Sequence, residues 1–398
     1  MEWLSRRARG GFAAWHSGEA FQSMLLALVA LVDHASSEAL AELAAAVTDK
    51  LLFTLAANSF KGVFGSAHGA TSAASITDGR MEPTSNVSRL LWGMGCWNQH
   101  LAAAILLARS EQYELPEIVG AIAVDRPEEF WARERHVTAW SGVDPKAAPC
   151  GEVNTVTFKT PDTMLSSAQD YRPGEPGGDE HIWQATLSTE AVVFVNHPGC
   201  MNQKQAYRPN FWRGNGVLPR VAQWKDLLIA LYRLPDDDWR GYTHAHFPLA
   251  AFDQHALQGG WAFACEGEGY LAISASHGFE LLTSGPGAYR ELRAAGKQNV
   301  WLCQMGRAAQ DGSFAEFKTR VLALSVALDG LQVSCTSLRG DALTFGWTGP
   351  FTVNGMAQPL SGFKHYENPY CVCDLGAAEM EIQHGEWLLR LNLGTTGQ

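Results

Sequence analysis

Val153-Asn154-Thr155-Val156-Thr157-Phe158 is the stretch on which the reading of this 398-residue chain turns. Its β-branched residues and alternating pattern are those of a strand. Beyond Pro149 short runs of the same texture recur at Ala191 to Val195, Leu227 to Tyr232, Tyr270 to Ser274 and Val300 to Gln304, punctuated by Gly, Pro and Asp. Phe351-Thr352-Val353-Asn354-Gly355 reads as a strand entering a hairpin turn, and Met380 to Gln383 with Glu386 to Leu391 around His384-Gly385 reads as another. This half is expected to form a large antiparallel β-sandwich.

Before that stretch the period is helical. Phe21, Met24, Leu25, Leu28, Leu31 and Val32 share one face between Glu19 and Ala35, and Ser36 or Ser37 offers a cap to a second helix. The second helix carries Leu40, Leu43, Val47, Leu51 and Leu55 on one stripe, and a third is expected to begin after Thr84 and run toward Arg109. The expected fold class is therefore α+β, with a helical α/α domain over 1–149 and the β-sandwich over 150–398. A segment of that size holds about five or six helices of ordinary length. A closed α/α toroid needs roughly twice as many. The helical part is thus expected to be completed by a preceding segment or by an oligomer partner.

Apolar residues make up 46% of the chain and charged residues 18%, which supports large buried cores and speaks against disorder. The net charge is -11, and no run of Lys and Arg interrupts it, so nucleic acid is not an expected partner. Fourteen Trp and eighteen Phe exceed ordinary core filling, and flat aromatic faces also stack on sugar rings. The eight cysteines are scattered apart from Cys371 and Cys373, a spacing poorly suited to a mutual bridge, and reduced thiols are expected. Met1 to Gly11 is not followed by a compact apolar region with a cleavage site, and the apolar run Met24 to Val32 is too short to span a bilayer. A soluble protein with no membrane partner is expected, cytoplasmic unless its N-terminus has been trimmed, in which case its location is open.

Three stretches concentrate chemistry. The loop Asn58 to Pro83 has no period and is rich in Gly, Ser and Thr, and within it Gly65-Ser66-Ala67-His68-Gly69 places a histidine where a ligand can approach the backbone. The alternative is that His68 only bonds loop carbonyls. Arg80, Glu82 and Asn86 follow, either toward the same cleft or as solvated and capping residues. The second stretch, Ser166 to Trp183, gathers Gln169, Asp170, Tyr171, Arg172, Glu175, Asp179, Glu180 and His181. That mix can move protons and neutralise a carboxylate, or it can be an ordered loop pinned by Asp170 and Arg172. The third, Asn196 to Gly216, sets Trp212 and Arg213 before Gly214-Asn215-Gly216, as a sugar platform with hydrogen-bond donors or as a tight inter-strand loop.

His244 and His246 alternate on an expected strand and can face a metal together with His197 or Asp253, although hydrogen-bonded histidines are commoner in that setting. No cofactor or metal is expected beyond that weak pattern. His365 can pack on a domain seam. No Gly-rich phosphate loop, nucleophile elbow or His-Glu-x-x-His occurs, which removes most support for nucleotide hydrolysis and serine esterase chemistry.

The helical-then-β layout, Gly65-Ser66-Ala67-His68-Gly69, Ser167-Ala168-Gln169-Asp170-Tyr171-Arg172-Pro173-Gly174-Glu175 and Asn210-Phe211-Trp212-Arg213-Gly214-Asn215-Gly216 together resemble polysaccharide lyases of the heparinase II/III and chondroitin-lyase kind. The likeness is one of architecture and residue types over most of the chain, without a diagnostic motif matched residue by residue. It departs in its short helical part and in Ala70, where a charged residue after His-Gly would help hold a uronate. The resemblance implies β-elimination on a uronic-acid polysaccharide. It assigns Tyr171 as base or acid, His68 to the partner proton transfer with His181 as a further catalytic candidate, and Arg172 or Asn215 to carboxylate stabilisation. Trp212, Arg213, Asn215, Asn86 and Arg80 would bind the polymer. A Tyr can serve as a base only where cations lower its pKa from about 10, and Arg172 or Arg213 can supply that field. Such a site also needs a basic cleft, for which Arg80, Arg172, Arg208, Arg213 and Arg220 are available.

Two other readings stand beside it. A glycoside hydrolase would draw its pair of carboxylates from Asp170, Glu175, Asp179 and Glu180. A non-catalytic glycan-binding or assembly subunit would use the helical part to dock on a larger partner.

Overall fold

The computed structural model describes residues 2–137, 151–202, 204 and 206–394. The expected boundary at 149/150 lies outside them. The fold is α+β with antiparallel sheets.

Helix α1 (Glu2–Gly10) is followed by α2 (Gly18–His34), whose N-terminus is capped by the Ser17 side chain accepting from Ala20 N. Helix α2 buries Phe21, Leu25, Leu28 and Val29, the face its sequence spacing describes. Helix α3 (Glu38–Ala57) buries Leu43, Val47, Leu51 and Leu55 and, from Lys50 to Ala57, buries every residue. A helix enclosed on all sides over two turns has neighbours all round, and α3 has them in α1, α2, the helix Glu117–Val124 and a C-terminal strand. The third expected helix is broken. Ser85–Trp92 ends at Gly93, which takes φ 76, and the chain passes Gly95 at φ 107 before Ala102–Arg109 begins. A left-handed glycine terminates a helix because it closes the last carbonyls without a Cβ clash.

The largest sheet has ten antiparallel strands. Its spatial order is Glu280–Leu281, Glu291–Ala295, Tyr242–His246, Val192–Asn196, Trp183–Thr186, Met164–Ala168, Glu152–Lys159, Phe130–Val137, Tyr366–Asn368 and Cys371–Cys373. The chain thus enters this sheet at Phe130, directly after the helix Glu117–Val124. One face, with Phe130, Ala132 and Tyr366, shares a core with the helices, and the hairpin Glu379–His384 with Trp387–Asn392 closes that core through Met380, Ile382 and Leu391. The other face, with Leu165, Ala185, Val193 and Ala245, shares a core with Val221, Leu228, Ala230, Ala262, Leu271, Ile273 and Trp301 of a second, six-stranded sheet. Beyond that sheet lie the helix Phe314–Leu322 and a five-stranded sheet from Val326 to Gln358.

All the strand runs read from the sequence fall on strands. Val153 to Phe158 lies inside Glu152–Lys159, paired with Phe130–Val137 on one side and Met164–Ala168 on the other. Asn354 and Gly355 take φ 51 and 78 in a two-residue hairpin turn, the left-handed pair that matches the twist of its flanking strands.

Candidate functional site

The loop after the short strand pair Ser59–Phe60 and Val63–Phe64 brings His68 onto the edge of the chain segment that leads into Trp183–Thr186. His68 N donates to His181 O at 2.9 Å and His181 N donates back to His68 O at 2.8 Å. The two imidazoles lie stacked with centroids 5.8 Å apart. Next along the loop, Gly69 N donates to Trp15 O at 2.8 Å. Gly69 must be glycine there, because a Cβ would lie 2.7 Å from Trp15 Nε1. Trp15 in turn meets the Tyr171 ring edge-on at 5.6 Å.

Tyr171 sits between two non-glycine residues in the left-handed region, Asp170 at φ 47 and Arg172 at φ 50. The pair Arg220 Nε to Asp170 Oδ1, 2.8 Å, holds that turn, while Arg220 also donates to Gly346 O at 2.5 Å and Gly349 O at 2.9 Å. The Arg172 guanidinium lies 5.8 Å from the centre of the Tyr171 ring and reaches Glu175 at 2.8 Å and Glu180 at 3.4 Å. Asp179 receives Arg213 at 2.8 Å, with Arg208 at 3.5 Å. Asn215 donates to Glu180 O at 3.3 Å, and its Oδ1 accepts from His197 N at 3.1 Å and Tyr232 Oη at 3.3 Å. These contacts join Trp15, His68, Tyr171, Arg172, Asp179, Glu180, His181, Arg213 and Asn215, with His68 connected to Tyr171 through the Gly69 main chain and Trp15.

The tautomers of the two histidines follow from their partners. His68 Nδ1 faces the carbonyl of His16, which only accepts, so Nδ1 carries the proton and Nε2 keeps its lone pair. His181 Nε2 faces Gln184 Oε1 at 3.0 Å, and Gln184 is oriented by its own bond to Thr186 Oγ1 at 2.9 Å. His181 therefore donates from Nε2. Burial pushes His68 down to about 4 and His181 well below the usual histidine value, so both rings are neutral at neutral pH.

Other sequence candidates lie elsewhere. Arg80 pairs with Asp78 at 2.7 Å and Glu190 at 2.9 Å on the surface, and Asn86 is enclosed and bonded to Asn98 Oδ1 at 2.6 Å. Trp212 is 3% exposed, with one ring face stacked on His244 at 4.2 Å, so it presents no open face to a sugar. His244 has both ring nitrogens engaged, Nδ1 with Glu291 at 3.1 Å and Nε2 with Phe211 O at 3.0 Å. His246 Nδ1 donates to Val192 O at 2.9 Å, His197 faces Asp238 at 3.2 Å, and Asp253 accepts from Gly267 N at 2.8 Å. These four residues are thus committed to separate partners. Among the described residues one trio of histidine and carboxylate groups is close enough to share a metal, namely His16, Glu134 and His136. Sequence reasoning missed it, together with Trp15 and Gln184. The signal was present in Ala132-Arg133-Glu134-Arg135-His136, where a strand's period of two sends Glu134 and His136 inward and both arginines outward.

Comparison with known proteins returns no match, whether to a family model, a curated protein or a solved structure. No helix among the described residues is long and apolar enough to cross a membrane.

Proposed function

We propose that this chain is a carbohydrate-active enzyme, a polysaccharide lyase that cleaves a uronic-acid polymer by β-elimination at the group around Tyr171. In this reading the helices are a toroid-like α/α unit and the ten- and six-stranded sheets form the sandwich. The observation that carries it is the strained turn at Tyr171, with non-glycine residues at φ 47 and φ 50 on either side. Backbone strain of that kind persists where surrounding structure imposes it, and it clusters at functional sites.

In the elimination a base removes the proton beside the uronate carboxylate, the electron pair closes a C4=C5 double bond, and the C4–O bond breaks as its oxygen takes a proton. Tyr171 and His68 are assigned the two proton transfers, with His181 bracing His68, and because Tyr171 is 8% and His68 4% exposed the reading requires the covering chain to part for the polymer. Arg172 neutralises the substrate carboxylate by exchanging it for Glu175, its solvent-exposed partner. The hydrolase reading has less support. Hydrolysis needs two carboxyl groups facing each other across a bond, whereas Asp170, Glu175, Asp179 and Glu180 are each turned onto an arginine.

The test is incubation with a panel of uronic-acid and neutral polysaccharides, following ultraviolet absorbance and new reducing ends together. Both signals are expected from a uronate polymer. Reducing ends without absorbance indicate hydrolysis, and silence in both channels indicates a binding or assembly role.

A further inference from the structure

We propose that His16, Glu134 and His136 form a site for a divalent transition metal, with Zn2+ the ion best matched to the donors. Two imidazoles and one carboxylate are the three-ligand set that zinc accepts with a fourth position left for water. Calcium and magnesium call for oxygen donors instead.

The geometry is preformed. His16 Nε2 lies 3.1 Å from Glu134 Oε2 and His136 Nε2 lies 3.0 Å from the same oxygen, and all three ligand atoms fall within 4.8 Å of one another. Tetrahedral ligands at about 2.0–2.1 Å from zinc stand about 3.3 Å apart, so small shifts seat an ion. The two imidazoles and the carboxylate are closed off from solvent.

To bind an ion, both histidines must offer Nε2 as a lone pair and move the ring proton to Nδ1. Nδ1 of His16 and Nδ1 of His136 are buried with no hydrogen-bond partner among the described residues, so that tautomer change breaks no existing Nδ1 bond but leaves a buried donor on each ring, a cost that the bonds from Nε2 to the ion must offset. Two further features suit an ion. The carboxylate is oriented from behind: Asn58 Nδ2 donates to Glu134 Oε1 at 2.7 Å, while Asn58 Oδ1 accepts from Thr157 Oγ1 at 3.0 Å. Outer partners of this kind fix a metal ligand's direction. Finally, His16 is itself held at φ 49, immediately before the Ser17 cap of α2, which aims its ring at the sheet.

A bound ion would tie the loop before α2 to the strand Phe130–Val137. It would also fix the His16 carbonyl that receives His68 Nδ1. The metal site does not depend on the lyase reading, and its test is independent of turnover.

The experiment is metal analysis and X-ray absorption on the full chain loaded with Zn2+ alone, with Co2+ as a spectroscopic substitute. One equivalent per chain is expected, in a shell of nitrogen and oxygen at about 2.0–2.1 Å that includes two imidazoles and lacks sulfur at about 2.3 Å. Chelator treatment should lower the melting temperature and Zn2+ should restore it. His136→Ala and Glu134→Gln should lose the ion, whereas His197→Ala and His246→Ala should keep it. Absence of a stoichiometric ion in folded wild-type protein, or a shell containing sulfur, overturns the site and leaves a hydrogen-bonded trio. The wild-type spectra decide the matter even if a variant fails to fold.

Discussion

His68 and His181 are joined main chain to main chain, N to O at 2.9 and 2.8 Å, so that two neutral imidazoles from segments more than a hundred residues apart lie face to face. The backbone makes the bridge, and substituting either ring leaves it in place. His181→Ala removes the donor that Gln184 Oε1 accepts in a closed interior. A loss of about 1–3 kcal/mol in denaturant unfolding is expected from the orphaned amide. His68→Ala should fold and lose about 10²–10⁴ in turnover, the usual worth of a positioned proton-transfer group.

Acid should weaken the fold through histidines that are buried neutral. Burial lowers His246 to about 4, against an ordinary value of 6.5. Above pH 6.5 neither folded nor unfolded His246 is charged and the group costs nothing. Between pH 6.5 and 4 the unfolded chain takes up a proton that the folded one refuses, so stability falls by about 1.4 kcal/mol per pH unit and then levels off. Glu82, raised to about 7 by burial, acts in the opposite sense as its proton is taken up in the folded state first. A comparison with His246→Gln separates the two: the advantage of wild type over this variant should shrink by up to about 3 kcal/mol on going from pH 7 to pH 4. A gap constant across that range would contradict the buried neutral ring.

Trp212 is expected to act on stability. Its ring is packed between Phe194, Phe211, His244 and His246. Trp212→Ala should cost about 3–5 kcal/mol in unfolding free energy. A raised KM with unchanged melting temperature would instead show an open sugar platform.

Asp170 anchors the strained turn. Asp170→Ala leaves Arg220 with its two carbonyl partners, Gly346 and Gly349, and without its carboxylate. With Asp170 partly exposed, a loss of about 1–3 kcal/mol is expected, together with a drop in kcat as Tyr171 loses its fixed position. Thermal unfolding and kinetics on the same preparation check both.

Much of the fold was legible in the sequence, since strands such as Val153 to Phe158 and the faces of α2 and α3 follow local periodicity. The break at Gly93 was missed because the apolar residues on both sides keep a helical spacing. Within the site, the convergence of Tyr171, Arg172, Glu180 and His181 was readable because they are neighbours in the chain. That His68 joins them depends on its main-chain pairing with His181, which loop composition does not encode. The enclosure of Trp212 by His244 and His246 was hidden, because sequence gives the side on which a strand residue lies but not what covers it. His16, Glu134 and His136 come together only through tertiary packing of a loop before α2 on a strand over a hundred residues later.

Elimination at Tyr171 is read from the ultraviolet absorbance of unsaturated uronate released by wild type and by Tyr171→Phe from uronic-acid polymers. Wild type should generate the absorbance, and a folded Tyr171→Phe protein should lose about 10²–10⁴ of the rate. Equal absorbance from both proteins, or none from wild type on any uronate polymer, would contradict it.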